Sequence, residues 1–291
     1  SLSLGYDDFM YLDLTARNDW SSTLADNNRS YFYPSVSYAV LLDRFIDPEK
    51  NVVDLFKLRT SWAEVGNDTG VYQLYQPFDV PHQGYLGLTT LSAPDIRYNE
   101  DLKPESVKSL EFGAEGRLFG NRLYFDLSVY KITTNDMIYD LPVAAATGFN
   151  YFKTNIGEVQ NKGVEFLIGG VPIRTDDFTW DVSFNFSKNK NTVNSLIEGL
   201  DGTILNTTNS GNVAIAANVG GGIGDIYGTV WDTDEAGNRL VNAEGIPLAS
   251  SERELLGNAQ PDWIGGLTNT ISYKNLSLRF LVDGRIGGEI Y

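Results

Sequence analysis

Apolar and polar residues alternate with a period of two along most of the chain. In Phe178–Ser187, Phe178, Trp180, Val182, Phe184 and Phe186 fall on one side, and Thr179, Asp181, Ser183, Asn185 and Ser187 on the other. A strand points successive side chains to opposite faces, so this segment predicts a strand with one wholly apolar and one wholly polar face. The pattern recurs in Phe9–Arg17, Tyr33–Leu41 and Leu55–Ala63. Later segments come as hairpins: Val107–Leu118 with Leu123–Tyr130 around Gly120-Asn121, Gly163–Ile173 with Phe178–Ser187, and Trp263–Tyr273 with Leu276–Asp283 around Lys274-Asn275. Nine strands and an all-β fold are expected.

The connections alternate in length. Short turns close the hairpins and the 42–54 link is intermediate, whereas 18–32, 64–106, 132–162 and 188–262 are long. If neighbouring strands run antiparallel, every long connection emerges at the same end of the sheet. Loops of this length count against a compact soluble domain. Membrane barrels, in contrast, join their strands by short periplasmic turns and longer extracellular loops. Ten residues at about 3.3 Å each span about 33 Å, and a tilt of about 40° leaves roughly 25 Å, the height of a barrel's apolar band. The expected architecture is therefore a transmembrane antiparallel β-barrel, with a soluble extracellular β-rich glycan-binding module as the alternative. Nine strands leave an open sheet, and an open edge in lipid strands its backbone groups. Residues 1–291 are thus expected to form one portion of a larger barrel.

Composition narrows the function. There are 38 acidic and 22 basic residues, for a formal charge of −16, and no basic cluster suited to neutralising nucleic-acid phosphates stands out. Without cysteine there is no thiolate nucleophile or disulfide framework. His82, the single histidine, excludes multi-histidine metal sites and reads as a loop residue. No run of about 18 apolar residues encodes a membrane helix. No nucleophile elbow, phosphate loop or zinc motif is present, so no enzyme activity is expected. Glu111 and Glu115 lie four apart on one strand, about 13 Å, too far apart for a glycosidase pair.

Ligand contacts are expected in the long loops. Tyr72, Tyr75, Phe78 and Tyr85 in one, Phe149, Tyr151 and Phe152 in another, and Trp231 in the longest offer flat aromatic faces suited to sugar rings; the competing reading is that they pack their own loops or a partner. In WDTDEAGN, Trp231–Asn238, Asp232 and Asp234 have the spacing of the first two ligands of a calcium loop. Ala236 and Ala243 stand where further ligands belong, so an acidic turn between strands is the expected reading. The row Phe178, Trp180, Val182, Phe184 and Phe186 is expected to face lipid. Asp13, Arg17, Lys57, Arg59, Glu111, Glu115, Arg117, Asp126, Asp181 and Arg279 are expected to line the interior.

Longer stretches carry a family resemblance. LTARNDWSS (Leu14–Ser22), YPSVSYAV (Tyr33–Val40), LFKLRTSWAEVGN (Leu55–Asn67), NEDLKPESVKSLEFGAE (Asn99–Glu115), NIGEVQNKGVEF (Asn155–Phe166), FTWDVSFNFSKNKNTV (Phe178–Val193) and the segment Gly257–Tyr291 resemble the SusC/RagA family of TonB-dependent outer-membrane transporters, in the family's order. Trp62-Ala63 departs from the family's frequent Trp-Gly. The resemblance implies a 22-stranded barrel, of which this chain resembles a middle-to-late portion without the plug and terminal strands. It also implies location in the outer membrane of a Bacteroidetes-type bacterium and uptake of oligosaccharides or peptides. The partners it implies are a SusD-like surface lipoprotein as lid and the TonB-ExbB-ExbD complex as energy source. No cofactor is expected, the weak calcium candidate Asp232 and Asp234 aside.

Overall fold

A computed structural model describes residues 1–80, 85–208 and 211–290. Fifteen strands are present among them: β1 (Leu2–Tyr6), β2 (Met10–Trp20), β3 (Ser30–Leu41), β4 (Val53–Asn67), β5 (Ile96–Arg97), β6 (Glu105–Leu118), β7 (Leu123–Pro142), β8 (Tyr151–Arg174), β9 (Phe178–Ser195), β10 (Gly202–Thr207), β11 (Val213–Asn218), β12 (Asp225–Trp231), β13 (Ala249–Asn258), β14 (Pro261–Tyr273) and β15 (Leu276–Gly287). The main sheet runs β1-β2-β3-β4-β6-β7-β8-β9-β14-β15, antiparallel throughout, with the short β5 added in parallel on β8. It is open, with β1 and β15 as its edges. The strands β10-β11-β12-β13 form a second sheet within the longest connection.

All nine expected strands are present and pair in sequence order. The alternation fixes which faces match across the sheet: Leu58, Ala114, Leu127, Phe166, Phe186 and Gly265 form one continuous register row. A slip of one residue would turn a whole strand inside out. β1 was not expected; LSLGY is short, and it is held by a tight turn with Asp7 and Asp8 at positive φ (48° and 54°).

The long connections are shorter than the pattern predicts. The expected 18–32, 64–106 and 132–162 loops reduce to 21–29, 68–104 and 143–150, and 188–262 contains the second sheet. Alternation marks only the part of a strand with one apolar face, whereas the hydrogen-bond ladder continues where that face turns polar. Thr133 and Asn135 of β7 pair with Gln160 and Glu158 of β8 in this way. The two longest connections, 68–104 and 196–260, leave the sheet at one end together with 21–29 and 143–150, and the turns 7–9, 119–122, 175–177 and 274–275 leave at the other together with 42–52, which is longer than 21–29 and 143–150.

Burial is distributed unlike that of a soluble sandwich. The apolar rows in mid-sheet are open: Phe112 is 52% exposed and Val129 43%. The buried clusters sit instead at the long-connection end. One joins Leu24, Leu74 and Leu102 from two connections; the other joins Val159 and Val193 to Ala217 of the second sheet. That sheet is stitched to the upper edge of β9, where Val193 N–H donates to Gly221 O (2.8 Å) and Gly220 N–H to Val193 O (2.8 Å). With no second layer over the apolar rows among the described residues, the soluble-module alternative is overturned: so large a contiguous apolar face is not stable in water.

Candidate functional site

The polar face carries a bonded network. Arg59 on β4 reaches across β6 to β7, where its guanidinium makes two bonds to Asp126 (2.7 and 3.1 Å) and one to Ser128 Oγ (2.6 Å). Ser128 Oγ donates to Glu111 (3.1 Å), which lies 3.7 Å from Arg59 Nε. Lys57 and Arg117 flank Glu115 at 3.8 and 3.4 Å. The planar fork of Arg suits two-point recognition of a carboxylate.

Arg59 can cross because the residue beneath it is Gly113, its register partner on β6. A Cβ there would lie 2.6 Å from Arg59 Cζ and 2.8 Å from Cγ. Two tyrosines repeat the arrangement one strand further on. Tyr130 passes over Gly163 of β8 to Asn189 of β9 (3.3 Å), and Tyr124 passes over Gly169 to Asp181 (3.4 Å). Asn189 and Asn191 both donate to Asn161 Oδ1 (2.9 and 3.0 Å). Strand glycine reads as a weakening in the sequence; here it lets a long side chain lie flat against the wall and bond two strands away.

Of the interior candidates, Lys57, Arg59, Glu111, Glu115, Arg117, Asp126 and Asp181 join these contacts. Asp13 accepts from Ser3 Oγ (2.5 Å), and Arg17 pairs with Asp19 (2.6 Å) farther along the same face. Asn269, which sequence reasoning passed over, lies on the opposite, apolar face: its register partner is Val182, it is buried, and its Oδ1 accepts from the Trp180 indole (3.1 Å). A lone polar residue in an apolar row was the available signal. The row Phe178, Trp180, Val182, Phe184 and Phe186 shares that face, with no further layer over it.

The loop aromatics are only partly brought together. Tyr72, at positive φ (58°) and 83% exposed, stands with Tyr75, Phe78 and Tyr85 on an exposed connection anchored by buried Leu74. Phe149, Tyr151 and Phe152 lie on the β7–β8 hairpin, which is tied to that connection by Asn150 N–H donating to Asp95 O (2.9 Å); Arg97 lies 5.4 Å from the Phe152 ring centroid. Trp231 ends β12 on the second sheet, opposite Ala249. Among the described residues no two of these eight rings stack on each other. A cavity of about 720 Å³ between the second sheet and the end of β15, lined by Val213, Ile226, Arg285 and Ile290, includes none of them. His82 lies outside the described residues.

The WDTDEAGN segment is a turn. Asp234 Oδ1 accepts the amides of Ala236 (2.9 Å) and Asn238 (2.8 Å), and Oδ2 accepts Asn238 Nδ2 (3.0 Å). The Asn238 side chain, then its amide, hold this carboxyl below the usual aspartate range. Its oxygens are committed to the turn, and among the described residues no three acidic or histidine side chains converge as a metal would require.

An open antiparallel sheet, apolar and uncovered on one face, polar and cross-linked on the other, with its two longest connections at one end, is the wall of an outer-membrane β-barrel. Residues 2–287 match the family described as TonB dependent receptor-like, beta-barrel, and the chain belongs to that family. It is 30% identical over 320 residues to TonB-dependent receptor P26 of Formosa agariphila, covering 100% of this chain and 31% of that protein. It is 28% identical to TonB-dependent receptor SusC of Bacteroides thetaiotaomicron, covering 95% of this chain and 30% of that one. The RagAB peptide transporter structure superposes with a TM-score of 0.82 at 26% identity, covering 98% of this chain and 32% of that one. The SusC/RagA resemblance read from the motifs therefore holds, and with it the outer-membrane location. The chain spans about a third of the length of the relatives it matches.

Proposed function

We propose that this segment is part of the wall and extracellular loops of a TonB-dependent importer that admits a nutrient ligand, an oligosaccharide in the first reading. The observation that carries it is the two-faced open sheet. Its uncovered apolar rows, Phe178, Trp180, Val182, Phe184 and Phe186 among them, are stable only against lipid, and its polar network then faces the interior. Closure of the barrel needs further strands, consistent with the third of the relatives' length that is present. A SusD-like lipoprotein would cover the extracellular loops, and the TonB-ExbB-ExbD complex would act on a plug held against the polar wall. Ligand would be taken by the exposed Tyr72, Tyr75, Phe78 and Tyr85, with Phe149, Tyr151, Phe152 and Trp231 around them. A peptide ligand is the second reading, favoured by the superposition on the RagAB peptide transporter.

Two measurements test this. The intact gene product is expected in the outer-membrane fraction, resistant to salt and carbonate; recovery as a freely soluble protein would refute the wall. Replacing Tyr72 and Tyr75 together with Ala should weaken ligand uptake by about 5- to 150-fold while leaving membrane insertion unchanged, since each lost stacking contact is worth about 0.5–1.5 kcal/mol. Unchanged uptake across a panel of oligosaccharides and peptides would remove these residues from the site.

A further inference from the structure

We propose that Lys131, Lys162, Lys188 and Lys190 form a site on the outer wall for the phosphate groups of one outer-leaflet lipid headgroup. The proposal rests on the reading that the apolar rows face lipid. All four lysines lie on that apolar face. Lys131 of β7 is the register partner of Lys162 of β8, which is the partner of Lys190 of β9; Lys188 faces Val164, one row nearer mid-sheet. The neighbouring positions toward mid-sheet on the same face are Phe112, Val129, Phe166 and Phe186, and Leu110 is the partner of Lys131 on β6. All four side chains are exposed, and among the described residues none has an ion-pair partner; the lysines that do are Lys50, Lys57, Lys108, Lys153 and Lys274.

Like charges directly opposite on adjacent strands repel. Three in one row, in a chain of formal charge −16, is a placement that needs an anion. The described residues do not supply one. Of the carboxylates toward the loop end of this face, Glu64 is engaged by Lys108 (3.7 Å) and Ser106 (2.7 Å), and Glu158 by Asn194 (2.5 Å). Depth selects the ligand. Lys131 lies eight residues from Leu123 and Lys188 ten from Phe178, about 20–25 Å along the membrane normal after tilt, which is the upper limit of the apolar band. There the aliphatic stems can lie on the apolar rows while the ammonium groups reach the headgroups. Two strand spacings by two residues cover about 10 by 7 Å, the footprint of a headgroup with one or two phosphates.

The test uses the intact receptor, reconstituted in phosphatidylcholine vesicles doped with a phosphorylated glucosamine-disaccharide lipid, re-extracted in mild detergent, with retained lipid counted by native mass spectrometry. Wild type should retain that lipid and not its dephosphorylated form. K131Q/K162Q/K188Q/K190Q should retain roughly tenfold less or lower, in keeping with the additive pull of each lysine near an anionic surface. Lys162→Gln, at the centre of the row, should show a partial loss, and Lys274→Gln none. Equal retention of the two lipid forms, equal retention by a correctly heat-shifted quadruple variant, or displacement by inorganic phosphate would each overturn the proposal. If the quadruple variant does not fold, the two lipid forms on wild type and on Lys162→Gln decide. Carbonate-resistant insertion without headgroup selectivity sinks this site alone, whereas loss of insertion sinks the wall reading as well.

Discussion

Gly113→Ala isolates the physical claim about the polar wall. The added methyl would lie 2.6 Å from Arg59 Cζ, so the guanidinium must leave its position between Asp126, Ser128 and Glu111. Charge-assisted bonds of this kind are worth about 1.5–3 kcal/mol when well buried. Here the Arg59 and Asp126 side chains are 28% and 39% exposed, and solvent screening reduces the loss to about 1–2 kcal/mol. Against it stands the gain of about 0.5–1 kcal/mol from replacing a mid-strand glycine by alanine. The net expectation is a destabilisation of about 1 kcal/mol, read as a lower urea midpoint for the intact receptor in detergent micelles. In an Arg59→Ala background nothing opposes the methyl group, and the same substitution should be neutral or stabilising. The coupling between the two positions should therefore be about 1–2 kcal/mol. Equal shifts of the same sign in both backgrounds would refute the crossing.

Three further outcomes are expected. Asn269→Leu strands the Trp180 indole N–H in the apolar face and should cost about 1 kcal/mol, with Trp180→Phe added to it restoring most of the loss; a double variant no better than the single one counts against the pair. Asp47 accepts the amides of Val52 (2.5 Å) and Val53 (2.9 Å) in the 42–52 turn, and Asp47→Ala should speed hydrogen exchange at both. The Val53 amide, then that of Val52, hold the Asp47 carboxyl below its usual 3.8, so its stabilisation is present above that pH and lost as pH falls through the lower folded value; wild type and variant should converge in acid.

The strand order and the two faces were legible because the alternation recurs in all nine expected strands, broken only at single positions such as Thr60 and Asn269, and because register follows once every apolar row must stay on one side. What the rows touch was not legible from any single strand. Phe178–Ser187 fits a core as well as a lipid surface; the connections and the strand span favour lipid, and among the described residues no second layer covers Phe112 and Val129. Strand ends were misjudged where Thr133 and Asn135 pair with Gln160 and Glu158, because the face that is apolar in mid-sheet turns polar there. The charged residues of the interior were visible as a row, but their partners were not. Arg59 meets a residue two strands and 67 positions away, and the position that permits it is a glycine.

That glycine placement bears on how a barrel wall of this kind stays clear. An interior lined by Arg, Tyr and Lys would project several ångströms into the lumen if each side chain stood perpendicular to the sheet, as strand side chains ordinarily do. Arg59, Tyr124 and Tyr130 instead lie along the wall over Gly113, Gly169 and Gly163, and each ends in a hydrogen bond to a strand beyond its neighbour. The bonds tie β4 to β7 and β7 to β9 independently of the backbone ladder, so the wall resists shear between strands while giving up little interior volume. On the proposed reading, in which a plug moves against this surface, a wall whose Arg59, Asp126 and Glu111 are already held to one another offers it few strong points of attachment there, and a Cβ at Gly113, Gly163 or Gly169 would raise a side chain into that path.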